Sequence, residues 1–371
     1  MKILIGNLFD SKAQTLVNTV NCVGVMGKGI ALEFKKRYPL MFDEYSNKCK
    51  LKEVKPGTPY LYQDITGVSV LNFPTKDNWR SPSKLSYIVD GLDWFVRNYE
   101  QLGIRSIAFP PLGCGNGGLT WELVGPIMYN KLSTLPIDIE IYAPFGTKAE
   151  HVSVSYLCDN YKEYNADVEG MKNTSVRHSW YLILEVIKLL NTNRYSLHVG
   201  RVIFQKICYI LTRLGVDTGF VFTQGSYGPY SDDIKRATVA LSNANMIYEK
   251  NFGNMIEVTV DNSFKLHSAE YSETELDAVN KTVDLFSRVK NTEQVEMIAT
   301  VIYAFDQLMR DNHYVSDEEV YKYVMEWKKR WKDSKQKEVC NTIINLAMLG
   351  WINIDFSNKL SILTEGDYEL N

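Results

Sequence analysis

Along the first 150 residues, short apolar runs alternate with stretches of helical spacing. Residues 2–5 and 15–20 are compact apolar runs closed by glycine or polar residues, and runs at 59–63, 68–73, 104–110 and 137–143 repeat that form, which predicts buried strands. Between them, residues 30–38 read as a helix stopped by Pro39. Leu85, Ile88, Val89, Leu92, Phe95 and Val96 mark a second helix over 84–101, and 120–132 a third. Strands alternating with helices predict an α/β layered domain over 1–150, closing near Gly146, with ligand loops at the carboxyl ends of its strands.

The pattern then changes. Residues 151–175, most clearly Asp159 to Ser175, are polar and read as a linker. Residues 176–371 carry helical periodicity at 176–191, 198–214, 231–245, 273–289, 292–310, 316–331 and 335–349. Ser231-Asp232-Asp233 places acids in a first helical turn. The runs 246–250 and 255–260 flank Asn251-Phe252-Gly253-Asn254, which predicts a hairpin and a winged-helix-like piece; residues 345–352 suggest a second.

Composition narrows the chemistry. A hydrophobic content of 45% with 23% charged residues is that of a globular protein. No apolar run reaches the ~20 residues of a membrane span, and the N-terminus turns polar at Asn7, so a cytoplasmic protein with no membrane partner is expected. The 6 cysteines are dispersed with no CxxC pair, and read as reduced thiols. All 5 histidines follow residue 150, so the first domain supplies no histidine base. Residues 1–150 carry a net +3 and the remainder −6. The reading calls for no metal and no cofactor.

Three segments carry candidate chemistry. Asn18-Thr19-Val20-Asn21 ends a strand, and Gly24-Val25-Met26-Gly27-Lys28-Gly29 leads from it into a helix. Glycines let backbone N–H groups approach an anion, and a helix start favours negative charge, so this is a pyrophosphate cradle or else a mobile turn. It is not a Walker loop, because Gly29 follows Lys28. A second strand–glycine–helix passage holds Gly113-Cys114-Gly115-Asn116-Gly117-Gly118. Its glycines satisfy GxGxxG, but it comes too late in the chain for a first dinucleotide-binding turn and fits a second anion-facing loop better. The third segment, Leu71 to Arg80, puts Lys76 just past a strand. There it is either a solvated surface lysine or a desolvated amine able to act as base or nucleophile. Trp79 and Arg80 would stack on a base or hold a phosphate, or else cap the core.

Together, Asn18 to Asn21, Gly24 to Gly29, Asn72 to Lys76 and Pro110 to Gly118 resemble the macrodomain family, over about residues 1–147. More narrowly they are similar to its DarG branch, the antitoxins of DarT–DarG systems, and to the terminal ADP-ribose glycohydrolases. The resemblance implies a mixed sheet between helices that binds ADP-ribose. Lys76 would match the catalytic lysine and Asn21 would lie beside the distal ribose. The backbones of Gly24 to Gly29 and Gly113 to Gly118 would hold the diphosphate, with Asn18, Thr19, Asn7 and Leu8 also lining the site. It implies too that ADP-ribose is removed from thymine in single-stranded DNA, which Trp79 and Arg80 would contact. A cognate ADP-ribosyltransferase toxin would bind residues 176–371, and the Tyr227-Gly228-Pro229 turn there is similar to other antitoxin modules.

The chain departs from the pattern twice. Typical macrodomains carry Asp after the first glycine, where Asn7 follows Gly6; the terminal glycohydrolases pair their lysine with an acid at the position of Gly117. Phe145 would stack on adenine or pack in the core. No pair of flanking carboxylates, the usual glycosidase solution, appears in these loops. Lys76 would instead attack the opened sugar as an amine, or deprotonate or orient a sugar hydroxyl. A non-catalytic ADP-ribose reader and an antitoxin that mainly sequesters its toxin are the rival readings.

Overall fold

The computed structural model describes residues 1–64, 67–161, 176–193, 196–252, 255–311, 314–331 and 334–357. Its chain divides into two units: Met1–Ser175 together with Lys235–Asn245, and Val176–Ile234 together with Met246–Asn371.

In the first unit β1 (Lys2–Ile5), β2 (Thr15–Asn21), β3 (Tyr60–Gln63), β4 (Ser69–Lys76), β5 (Ser106–Phe109) and β6 (Asp138–Ala143) form a 6-stranded sheet of order β1-β6-β5-β2-β4-β3. All its pairs are parallel except β3–β4. Alternation along the strands feeds two cores. Val17, Leu71, Phe73, Ile107 and Phe109 face α3 (Leu85–Asn98) and α4 (Trp121–Leu132), while Leu16, Val20, Val70 and Ala108 face α1 (Gly29–Arg37) and α2 (Pro39–Lys50). Every residue of β4 is buried, so this strand sits between two apolar layers and reads as a continuous run. This is the mixed sheet between helices expected of a macrodomain.

Two passages differ from the sequence expectation. Pro39 does end α1, but it also opens α2 as the first helical residue, where its missing N–H costs nothing. Met41, Tyr45 and Cys49 then fall at i, i+4 and i+8 on the buried face. Part of the expected linker is ordered: α5 (Val154–Asp159) is capped by the Ser153 side chain and drives Leu157 into the core. Residues 162–175 of that linker lie outside the described residues.

The second unit is mostly helical, as expected. It holds α6 (Trp180–Thr192), α7 (Arg201–Arg213), a short antiparallel pair β7 (Thr223–Gly225) and β8 (Gly228–Tyr230), and the first two residues of α8 (Asp233–Asn243). After α8 the predicted hairpin forms between β9 (Ile247–Phe252) and β10 (Met255–Val260); its Gly253 and Asn254 lie outside the described residues. Then come α9 (Glu273–Ser287), α10 (Thr292–Asp311), α11 (Asp317–Trp327) and α12 (Gln336–Met348). Ser272 and Ser316 form capping boxes with Glu275 and Glu319, which fixes the starts of α9 and α11. The helix expected over 316–331 breaks at Trp327, and among the described residues an isolated bridge, Ser316 to Asp355, follows the stretch 345–352 where a second winged-helix-like piece was expected. From Lys235 to Asn245, α8 and its exit belong to the first unit, against an uninterrupted second domain from 176.

A buried charge cluster holds the 225–230 turn. Lys206 Nζ donates to Pro229 O at 2.7 Å, while Lys328 Nζ donates to Ser226 O at 2.7 Å and to Glu296 Oε1 at 2.8 Å. Arg330 shares the Glu296 carboxylate and lies over the Tyr227 ring.

Candidate functional site

The carboxyl ends of β2 and β4 are neighbours, with Asn21 paired to Lys76 across a register shift after Val20. The Cys22 N–H donates to Asp77 O at 3.0 Å and keeps the two strand exits together. Lys76 is 9% exposed, and its Nζ reaches Asn116 O in the second glycine loop at 2.6 Å. That is a short, charge-assisted bond from an amine desolvated by its surroundings. A Cβ added to Gly29 would lie 3.0 Å from Asn116 Nδ2, so the two glycine loops touch. Lys76, Asn116 and both loops thus converge at one edge.

The first loop is shaped by Asn21. Its Oδ1 accepts from the N–H groups of Val23 and Val25 at 3.0 and 3.3 Å, and its Nδ2 donates to Val25 O at 2.5 Å. The Tyr45 hydroxyl donates to Asn21 O at 2.8 Å. Expected beside the ribose, the Asn21 amide here spends both its ends on the loop. Met26 is buried in the core, whereas Gly27, Lys28 and Gly29 are exposed. Lys28 gives α1 no side-chain cap, so the first-turn amides remain open to an anion.

In the second loop Gly113 and Gly117 are buried while Gly115 and Asn116 stand exposed. Among the described residues the amides of Gly115, Asn116 and Gly117 have no hydrogen-bond partner. A Cβ at Gly117 would come within 2.2 Å of Gly113 O and 2.3 Å of Ser83 Oγ. The acid that the terminal glycohydrolases carry there has no room in this chain. Thiol chemistry is not poised here either. Burial, then Asp77 and Cys49, push Cys22 up to about 12. Burial, then Glu122, push Cys114 up to about 12, with its Sγ on Leu112 O at 3.6 Å.

Other expected residues separate by burial. Asn18 is wholly buried, donating to Asn72 Oδ1 at 3.0 Å and lying against Met26 Sδ, and Leu8 is core. Both hold the floor beneath the loops. Thr19 is half-buried, and Asn7 caps the short turn Leu8–Asp10 by accepting from the Phe9 N–H. Phe145, after β6, is 79% exposed, which removes its core role. Arg80 lies over the Trp79 ring at 4.6 Å on an exposed face after β4, so these two cap no core.

Sequence reasoning missed Asp77, whose Oδ2 accepts from the Tyr87 hydroxyl at 2.7 Å next to Lys76. It also missed Ser83, whose N–H donates to Gly117 O at 2.9 Å. A serine in a polar stretch gives no signal of that role.

A Macro domain family model matches residues 17–128. A DNA ADP-ribosyl glycohydrolase of Thermus aquaticus is 30% identical over 311 residues, covering 81% of this chain and 81% of that protein. One of Mycobacterium tuberculosis is 36% identical over 250 residues, 64% of this chain and 66% of the relative, so the chain spans just under two thirds of that protein. A DNA ADP-ribosyl transferase–DNA ADP-ribosyl glycohydrolase fusion protein of Thermosipho africanus is 41% identical over 175 residues, 42% of this chain and 45% of the fusion.

Proposed function

Because the chain belongs to the DarG family of DNA ADP-ribosyl glycohydrolases, we propose that it hydrolyses the bond joining ADP-ribose to a DNA base. One observation carries this reading: the buried Lys76 amine is delivered to the contact between two glycine loops whose exposed amides are open to a diphosphate. Water supplies the hydroxyl that ends on the anomeric carbon, directly or on release of a lysine adduct, and the base leaves with a proton. The loops hold the diphosphate, Asn21 fixes the shape of the first, and Phe145 offers its exposed ring to adenine. Lys76 must release Asn116 O and lose a proton to act as base or amine nucleophile. Borohydride added during turnover traps a lysine adduct only in the nucleophile case.

The substrate we propose is thymine-linked ADP-ribose in single-stranded DNA, with Trp79 and Arg80 as the exposed stacking pair beside the site. Residues 176–371 would bind a cognate ADP-ribosyltransferase toxin in the cytoplasm. The fused architecture of the Thermosipho relative and the net −6 of residues 151–371 suit a partner with a basic DNA-binding cleft. One observation favours a second reading, a reader that binds without hydrolysing: Gly117 leaves no space for a partner acid.

An ADP-ribosylated oligonucleotide separates the two. The wild-type chain should release ADP-ribose, and Lys76→Ala should lower kcat by about 10²–10⁴-fold. No release by wild type sinks the hydrolase reading; full release by Lys76→Ala removes Lys76 from it.

A further inference from the structure

The second glycine loop is braced from α8. Asn243 Nδ2 donates to Ser83 O at 3.3 Å and to Val239 O at 2.9 Å, while its Oδ1 accepts from the Leu85 N–H at 2.7 Å, the first residue of α3. Ser83 in turn donates its N–H to Gly117 O at 2.9 Å. One turn earlier on the helix, Val239 packs on the loop's last glycine, because a Cβ at Gly118 would lie 2.6 Å from Val239 Cγ2. All of these residues belong to the first unit, although 158 positions separate Asn243 from Leu85.

We propose that Asn243 is a positioning residue of the site. Its amide makes two donated bonds and one accepted bond at once, fixing Ser83. Ser83 fixes the Gly117 carbonyl, and that sets the adjacent Asn116 carbonyl on which Lys76 rests. Both Asn243 and Ser83 act through the loop. Asparagine suits the post because aspartate at the same length keeps the acceptor for Leu85 but loses both donors. The effect on turnover rests on the hydrolase reading, whereas the effect on the loop does not.

Hydrogen exchange of the full chain, followed at the bonded amides of Cys114, Gly118 and Leu119, tests the two parts separately. Asn243→Ala should speed exchange there about tenfold, the loss expected of one buried hydrogen bond, and lower kcat by a similar factor. Asn243→Asp should do the same to a smaller degree. Ile104→Val, a core truncation before the amino end of β5 and so at the opposite end of the strand that leads to the loop, should lower Tm comparably and change neither readout. Unchanged exchange in Asn243→Ala, or equal acceleration by Ile104→Val, overturns the proposal. Accelerated exchange in a chain whose wild type releases no ADP-ribose keeps the brace and sinks only the hydrolase reading.

Discussion

Two lysines in this molecule make nearly the same bond. Lys76 Nζ donates to Asn116 O at 2.6 Å, and Lys206 Nζ donates to Pro229 O at 2.7 Å, each to a carbonyl in a glycine-bearing turn. Their surroundings differ. Lys76 ends a strand beside Gly115 and Asn116, which are exposed. Lys206 is 2% exposed and sealed beneath Gly228, where a Cβ would come within 3.4 Å of its Nζ, with Lys328 and Glu296 completing the cluster. A buried lysine becomes a candidate catalyst only where its partners leave a face for substrate. The second cluster spends its charges on holding a turn.

The sharpest way to break this comparison is to remove each amine. Lys76→Ala should cost turnover by the orders of magnitude given above and leave Tm within a few degrees. Lys206→Met should leave ADP-ribose release intact, loosen the 225–230 turn and flatten the pH dependence of stability. Burial, then Lys328, pulls the folded Lys206 down from 10.5 to about 7, with Glu296 opposing. Between those values the unfolded chain binds a proton that the folded one lacks. Wild-type stability therefore gains a rising contribution as pH climbs above about 7, and the penalty is fully present below it. Urea midpoints at about pH 7 and about pH 9.5 should differ less in Lys206→Met than in wild type.

Gly117→Ala sharpens the contrast from the loop side. Its methyl would meet Gly113 O and Ser83, so a loss of about 1–3 kcal/mol in stability is expected, with weakened ADP-ribose binding by calorimetry. The smallest effect belongs to Phe145→Ala. With the ring 79% exposed, ADP-ribose affinity should fall by roughly fivefold, the worth of one stacking contact, with no change in Tm. An unchanged affinity would remove Phe145 from the site.

The sequence disclosed the first unit well because its signals are local. Each strand is a short apolar run, and each glycine loop passes directly from strand to helix. Lys76 could be placed at a strand exit for the same reason. The α2 helix escaped because Pro39 was read only as a stop, although Met41, Tyr45 and Cys49 carry the helical spacing behind it. The hydrogen bonds of Asn18 and Asn21 were not legible, because a side chain's partners depend on neighbouring strands: Asn72 lies across the sheet, and the Val25 carbonyl depends on the loop's path. Asn243 was illegible for a stronger reason, since no local pattern ties it to a loop so far upstream. In the second unit, helical periodicity gave the elements but not the Lys206–Lys328–Glu296 cluster, which assembles from separate helices.

The mixed membership of the first unit bears on how the chain is made. Residues 176–234 leave the ribosome before the segment 235–245 that completes the amino-terminal sheet domain. At about 5–20 residues per second, roughly 4–14 s of synthesis separate Ser175 from Asn245. During that interval the sheet domain is made without Val239 and Asn243, so the brace on its second glycine loop is the last part to be supplied.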